Sequence, residues 1–173
     1  MVMPAGPALP EPPASLSDPA ELLAAYLDFY RSVVLRKLDG LSDAELRSSR
    51  LPSGWTPLEL LKHLAYVELR WLRWGFAGEN FADPWGDNGP DGNWHVPDEQ
   101  TPAAVRDFFL AQCDHSRTIV ARSQLTDVAA IGGRFDTEPP TLSWILFHVL
   151  QEYTRHAGQL DVVRELADGS VGE

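Results

Sequence analysis

"TLSWILFHVLQEYTRHAGQLDVVRELADG", residues 141–169, is the stretch that decides the fold class. Thr141 is a natural N-cap and Gly169 a natural stop, so the stretch predicts one helix running to about Ala167. Ile145, Val149, Glu152, His156, Leu160 and Val163 recur at intervals of 4, 3, 4, 4 and 3, the rhythm of one buried helical stripe. Two members of that stripe are polar. A carboxylate and an imidazole turned toward a core need partners, because an unpaired buried charge is strongly unfavourable.

Three further stretches carry the same rhythm. "SDPAELLAAYLDFYRSVVLRKLDG", residues 17–40, offers Ser17 or Asp18 as N-cap and Pro19 in the first turn. Leu22, Leu23, Tyr26, Phe29, Tyr30, Val33, Val34 and Leu38 predict its apolar face, and Gly40 its end. In "GWTPLELLKHLAYVELRWLRWGF", residues 54–76, Thr56, Pro57 and Glu59 spell a capping box. Leu60, Leu64, Val67, Trp71 and Trp74 predict a shared face there, with His63 on it, and Gly75 and Gly78 close the helix. "TPAAVRDFFLAQCDHSRTIVARS", residues 101–123, opens with another Thr-Pro signature. Four amphipathic helices of roughly 20 residues predict an all-α four-helix bundle, with long loops between helices two and three and between three and four.

The first of those loops, residues 79–100, is rich in Gly, Pro, Asp and Asn. Connections of such length in compact domains are functional or disordered, and Phe81, Trp85 and Trp94 predict packing. The second loop holds the one strand-like piece, near residues 127–136. Residues 1–17 contain five prolines and small residues, which predicts a flexible tail or an arm over a partner subunit. The domain proper is expected over residues 18–169.

A chain of 173 residues with 44% hydrophobic content suits one domain with a substantial core. Its net charge of −11, without a basic stripe, argues against a nucleic-acid partner. No apolar run reaches the ~20 residues that span a bilayer, so no membrane partner is expected. The N-terminus lacks a Lys/Arg-led apolar segment, which predicts no secretory signal and a cytoplasmic location. Cys113 is the single cysteine; it cannot form an internal disulfide, and a buried structural thiol is expected.

The site candidates start from Glu152 and His156, one turn apart and able to share one ion. His148 and Glu152 form a second such pair. His148 and His156 stand roughly 12 Å apart along the axis, so a site uses 148/152 or 152/156 with a ligand from another helix. His63, on the apolar face of helix two, is the obvious donor. Two imidazoles and one carboxylate can hold a divalent metal and leave positions open for water or substrate. The plain alternatives are a hydrogen-bonded core histidine at 63 and a buried ion pair between Glu152 and His156. His115 reads as surface and His95 as a solvated loop histidine. Trp71, Trp74 and Trp144 read as core and loop anchors, Trp85 and Trp94 as a pocket lid. Arg155 is a candidate for orienting an anionic substrate, against a plain surface charge.

The helix-two stretch to Glu79, the stretch 141–169 and the layout between them resemble the DinB/YfiT-like metal-dependent bundle superfamily. They resemble more narrowly its actinobacterial branch of mycothiol-dependent enzymes of the maleylpyruvate isomerase type. The resemblance covers about residues 18–169. It implies one divalent metal held by a His early in helix two and a pair four apart on helix four: His63, Glu152 and His156. Many members of the superfamily carry His at the position of Glu152; the mycothiol-dependent branch carries Glu, as this chain does. The resemblance thus selects 152/156 and leaves His148 and Arg155 as assisting candidates. It implies a low-molecular-weight thiol brought to the metal, where its thiolate attacks an electrophile. The expected activity is that of a thiol transferase or isomerase using Zn(II), with Ni(II) and Fe(II) as the other choices. Two other classes stand beside it: a metal-dependent hydrolase using bound hydroxide, and a non-catalytic stress-response or binding protein with a structural metal. A homodimer through exposed apolar helix faces is also expected.

Overall fold

The computed structural model describes residues 9–171, of which five helices make the frame. They are α1 (Pro19–Leu38), α2 (Asp43–Leu46), α3 (Pro57–Glu68, continued as a π-helical segment Leu69–Phe76), α4 (Pro102–Val120) and α5 (Leu142–Asp168). The four long rods are the predicted bundle, and the short α2 is an addition. No helix among the described residues is long and apolar enough to cross a membrane. Of the proline-rich stretch, residues 1–8 lie outside the described residues. Leu9–Pro13 flanks a hollow whose other wall is Ala25, Asp28, Phe29 and Ser32 of α1.

Local chemistry sets the helix starts. The Asp18 carboxylate accepts from the amides of Ala20 and Glu21, both at 3.0 Å, so Asp18 rather than Ser17 caps α1. At α3, Glu59 accepts from the Thr56 amide at 2.8 Å while the Glu59 amide donates to the Thr56 hydroxyl at 3.3 Å. Thr101 and Thr141 cap α4 and α5 in the same way, and Gly169 ends α5. A second capping box, Ser42 with Glu45, starts α2.

α1 packs on α5 and α3 on α4, with α3 also against α5. Leu27, Val34, Leu60, Leu64, Val105, Phe109, Ile145, Val149, Tyr153 and Leu160 form the continuous core. A charged knot sits inside it. Glu68 is fully buried and takes a fork from Arg31, Nε to Oε1 at 2.8 Å and Nη2 to Oε2 at 2.9 Å. The Tyr153 hydroxyl donates to the same Oε1 at 2.7 Å. Cys113, buried as expected, has its sulfur 3.9 Å from both groups. This knot joins α1, α3, α4 and α5, and every polar atom in it has a partner, as burial demands. Asp161 pairs with Lys37, and Arg164 donates to the Lys37 carbonyl at 2.7 Å. These residues tie α5 to the end of α1.

The π segment corrects the expected helix-two face. The Ala77 amide donates to Leu72 O at 2.9 Å, five residues back. Wider turns rotate the side-chain register, so Arg70, Leu72 and Gly75 face inward and Trp71 and Trp74 stand only half-buried. The 3.6-residue pattern therefore holds through Val67 and fails beyond it. Gly75 lies inside the element instead of closing it. In the second loop, isolated bridges Val128–Thr141 and Ile131–Phe135 mark the extended piece.

Candidate metal centre

α3 delivers His63 from its second turn, fixed by the Thr56 capping box. α5 delivers His148, Glu152 and His156 on three successive turns. The bundle brings His63, Glu152 and His156 together: one donor atom from each lies within 4.8 Å of the other two. The imidazoles of His63 and His156 meet edge to face at 5.1 Å between ring centres. His156 is buried and its Nε2 lies 3.2 Å from Glu152 Oε2. His148 approaches the other oxygen of Glu152 with its Nε2, at 3.4 Å, and so stands beside the trio and not within it. Arg155 is exposed on α5, as are His115 on α4 and His95 in the loop.

The loop 79–100 completes the site. Asp87 is 1% exposed, and its Oδ2 lies 3.0 Å from His63 Nδ1. Arg70, turned inward by the π segment, clamps the same carboxylate at 2.5 and 3.0 Å. The loop reaches this position because Gly86 passes against Tyr66; a Cβ there would sit 2.3 Å from the Tyr66 hydroxyl. From Asp87 the chain turns back through the Asn88–Trp94 bridge, with the His95 amide donating to Asp87 O at 2.8 Å. Trp94 then stacks on His63 at 4.1 Å and meets His156 edge-on at 5.4 Å. Trp94 is the expected lid. Trp85 is 47% exposed and covers the Arg70 guanidinium at 4.5 Å. Phe81 is half-buried against Arg73. Trp144, expected as an anchor, is instead 53% exposed and stacks on His148 with planes 8° apart. The helical stripe runs through Ile145 and Val149, which leaves residue 144 on its outer edge.

Whether this donor set fits a divalent metal is decided by the second nitrogen of each ring. Asp87 engages Nδ1 of His63. Gln159 engages Nδ1 of His156, its Oε1 accepting at 2.8 Å. Each ring is thereby fixed as the Nδ1–H tautomer, with Nε2 left as the coordinating nitrogen. Burial pushes the His63 imidazole below its ordinary value, outweighing the upward pull of Asp87, so the ring is neutral at neutral pH. The close approach of His156 is the largest effect holding the Glu152 carboxyl below its usual range, against the effect of burial, so the group is ionised. Burial alone would raise Asp87, but the bonds from His63 and Arg70 bring it lower. Two imidazoles, each engaged at Nδ1, and one carboxylate fit a borderline divalent cation with positions left open. Asp87, Arg70 and Gln159 carry no periodic signal that marks them as part of the site.

The family model described as Mycothiol-S-transferase matches residues 22–169. No curated protein matches the chain. A crystal structure of a conserved protein from Enterococcus faecalis is similar in fold, with a TM-score of 0.63 at 17% identity. The match covers 90% of this chain and 100% of that one.

Proposed function

The chain belongs to the mycothiol-S-transferase family, and from that premise we propose that it transfers the sulfur of a low-molecular-weight thiol to an electrophilic small molecule. His63, Glu152 and His156 would hold the divalent metal, Zn(II) before Ni(II) or Fe(II), through Nε2 of each ring and the carboxylate. A divalent cation there supplies a lowered pKa for a thiol or water and offsets developing negative charge.

The chain's own groups do the rest. Asp87 and Gln159 keep both ligand rings in one tautomer. Trp94 covers the trio and limits water. His148, held neutral chiefly by burial, stands one turn from Glu152 and is placed to take the thiol proton. The sulfur lone pair then forms the new bond to the electrophilic carbon. The leaving group departs with its bonding pair and is protonated from His148, which balances the reaction. The protein's single cysteine cannot substitute as nucleophile. Burial, followed by the charge of Glu68, pushes the Cys113 thiol up to about 12. Beside Trp94, a cleft of about 440 Å³ lined by Ser53, Trp55, Glu59, Asp91 and Asn93 suits the polar body of such a thiol.

The observation that carries this reading is the pair of engaged Nδ1 atoms behind two rings that converge on one carboxylate. Its test is turnover of a chromogenic aryl halide by zinc-loaded protein, with and without mycothiol. The reading predicts turnover only with both zinc and thiol, and its loss in Glu152→Gln. Hydrolysis of an activated ester at an equal rate without thiol, together with no thioether product, would contradict it.

A further inference from the structure

A half-buried cation without a carboxylate partner lies one layer away from the trio. Arg134 sits at the tip of the loop between α4 and α5. Its guanidinium carbon is 4.1 Å from the ring centre of Trp71, 5.8 Å from that of Trp74 and 5.6 Å from that of Trp85. Its Nη1 is sealed from solvent and has no hydrogen-bond partner among the described residues, and no carboxylate there pairs with it. Its charged neighbour is another cation, Arg70, already spent on Asp87.

This placement is built. The Arg134 amide donates to Trp74 O at 3.4 Å, and Gly132 donates to Phe135 O at 2.9 Å. Gly132 has φ +95°, and a Cβ on Gly133 would lie 2.3 Å from Trp74 O. Only two glycines in a row let the loop press onto the π segment and aim the next side chain over Trp71. An aromatic face attracts the cation but accepts none of its in-plane N–H groups, so Nη1 keeps its donors without an acceptor. Holding a half-buried charge in that condition is unfavourable unless an anion arrives. In a chain of net charge −11, an uncompensated positive spot beside the site also selects the sign of what approaches.

The spot connects to the trio by direct contacts. Trp71 lies 4.1 Å from the His148 ring, and His148 reaches Glu152 at 3.4 Å. Trp94 and its cleft flank His63 and His156. On the thiol-transfer reading the thiol lies beside Trp94 and the electrophile beside His148.

We propose that Arg134 binds a carboxylate of the electrophilic substrate, by a guanidinium–carboxylate fork, and so orients its reactive carbon toward the sulfur. The role given to that substrate rests on the thiol-transfer reading, whereas the carboxylate subsite is independent of it. Phenylacetate and its neutral match phenylacetamide are titrated into the full chain, following tryptophan fluorescence, with zinc present and after chelation. The fork predicts roughly tenfold or greater preference for phenylacetate in the wild type, since a charge-assisted hydrogen bond contributes at least about 1.5 kcal/mol. The preference disappears in Arg134→Gln, is weakened but retained in Arg134→Lys, and survives both chelation and His63→Ala. Circular dichroism checks that each variant is folded, and if Arg134→Gln unfolds, Arg134→Lys alone decides by its weaker preference. No preference in the wild type, equal preference in wild type and folded variants, or a preference lost on chelation but kept in Arg134→Gln would each overturn the proposal. Failure of thiol transfer with the Arg134-dependent preference intact would count against the thiol reading alone.

Discussion

Asp87 Oδ2 lies 3.0 Å from Nδ1 of His63, and through that bond a loop residue decides which nitrogen of a helix residue faces the trio. Asp87→Asn keeps the shape but removes the charge that fixes the tautomer. It also leaves Arg70 without its anion. Metal affinity should fall by roughly 10- to 100-fold, the usual consequence of losing such a supporting group. Competition against a chromophoric chelator measures it; unchanged affinity would remove Asp87 from the account.

Glu68 and Arg31 carry a separate prediction, about stability. Glu68→Gln leaves Arg31 buried without a full counter-charge, and breaking a buried pair by altering one partner costs about 3 to 5 kcal/mol. Tyr153→Phe removes one hydrogen bond to the same carboxylate and should cost less, about 1 to 3 kcal/mol. Urea unfolding of the two variants should rank them in that order.

Acid should destabilise the metal-free protein in two stages. Burial holds His63 and His148 below their ordinary value of 6.5, so the unfolded chain binds protons that the folded one refuses. Their contribution is complete above that value and is lost as pH falls through it toward the lower folded values. Glu152, held below 4.5 first by the close approach of His156, contributes above that value and loses its contribution at still lower pH. Thermal midpoints of chelated protein should therefore decline from neutral pH downward, and less steeply below pH about 6.5 in His63→Gln. A midpoint that rises on acidification would reverse the assignment of neutral rings.

Trp94 stacks on His63 at 4.1 Å, so a paramagnetic ion at the trio should quench its emission. Ni(II) loading is expected to dim the wild type, and most of that change should vanish in Trp94→Phe. Equal quenching in both proteins would place the ion elsewhere.

These residues also show what a sequence makes legible. The helix starts at Thr56, Thr101 and Thr141 were readable because caps are local chemistry, complete within four residues. The trio was readable because polar groups on an apolar stripe stand out against a period of 3.6. Trp74 is absent from the core that Trp71 packs against, because π turns change the period inside one helix, and nothing in the composition of residues 69–76 announces that. Trp144 is exposed because its position lies off the stripe, and aromatic character alone does not imply burial. Asp87 and the Glu68 knot were invisible, since each pairing joins residues that only the folded chain brings together, the first through a loop without periodicity. Arg134 was equally hidden: its meaning lies in an absent partner.

The central claim is that His63, Glu152 and His156 form one metal site. Elemental analysis after zinc saturation and extensive dialysis tests it most directly, with the wild type, His156→Ala and His148→Ala prepared side by side. The account predicts about one zinc per chain in the wild type and in His148→Ala, and near none in His156→Ala, because a site of three protein ligands does not survive the loss of one. Equal zinc in the wild type and His156→Ala would contradict it.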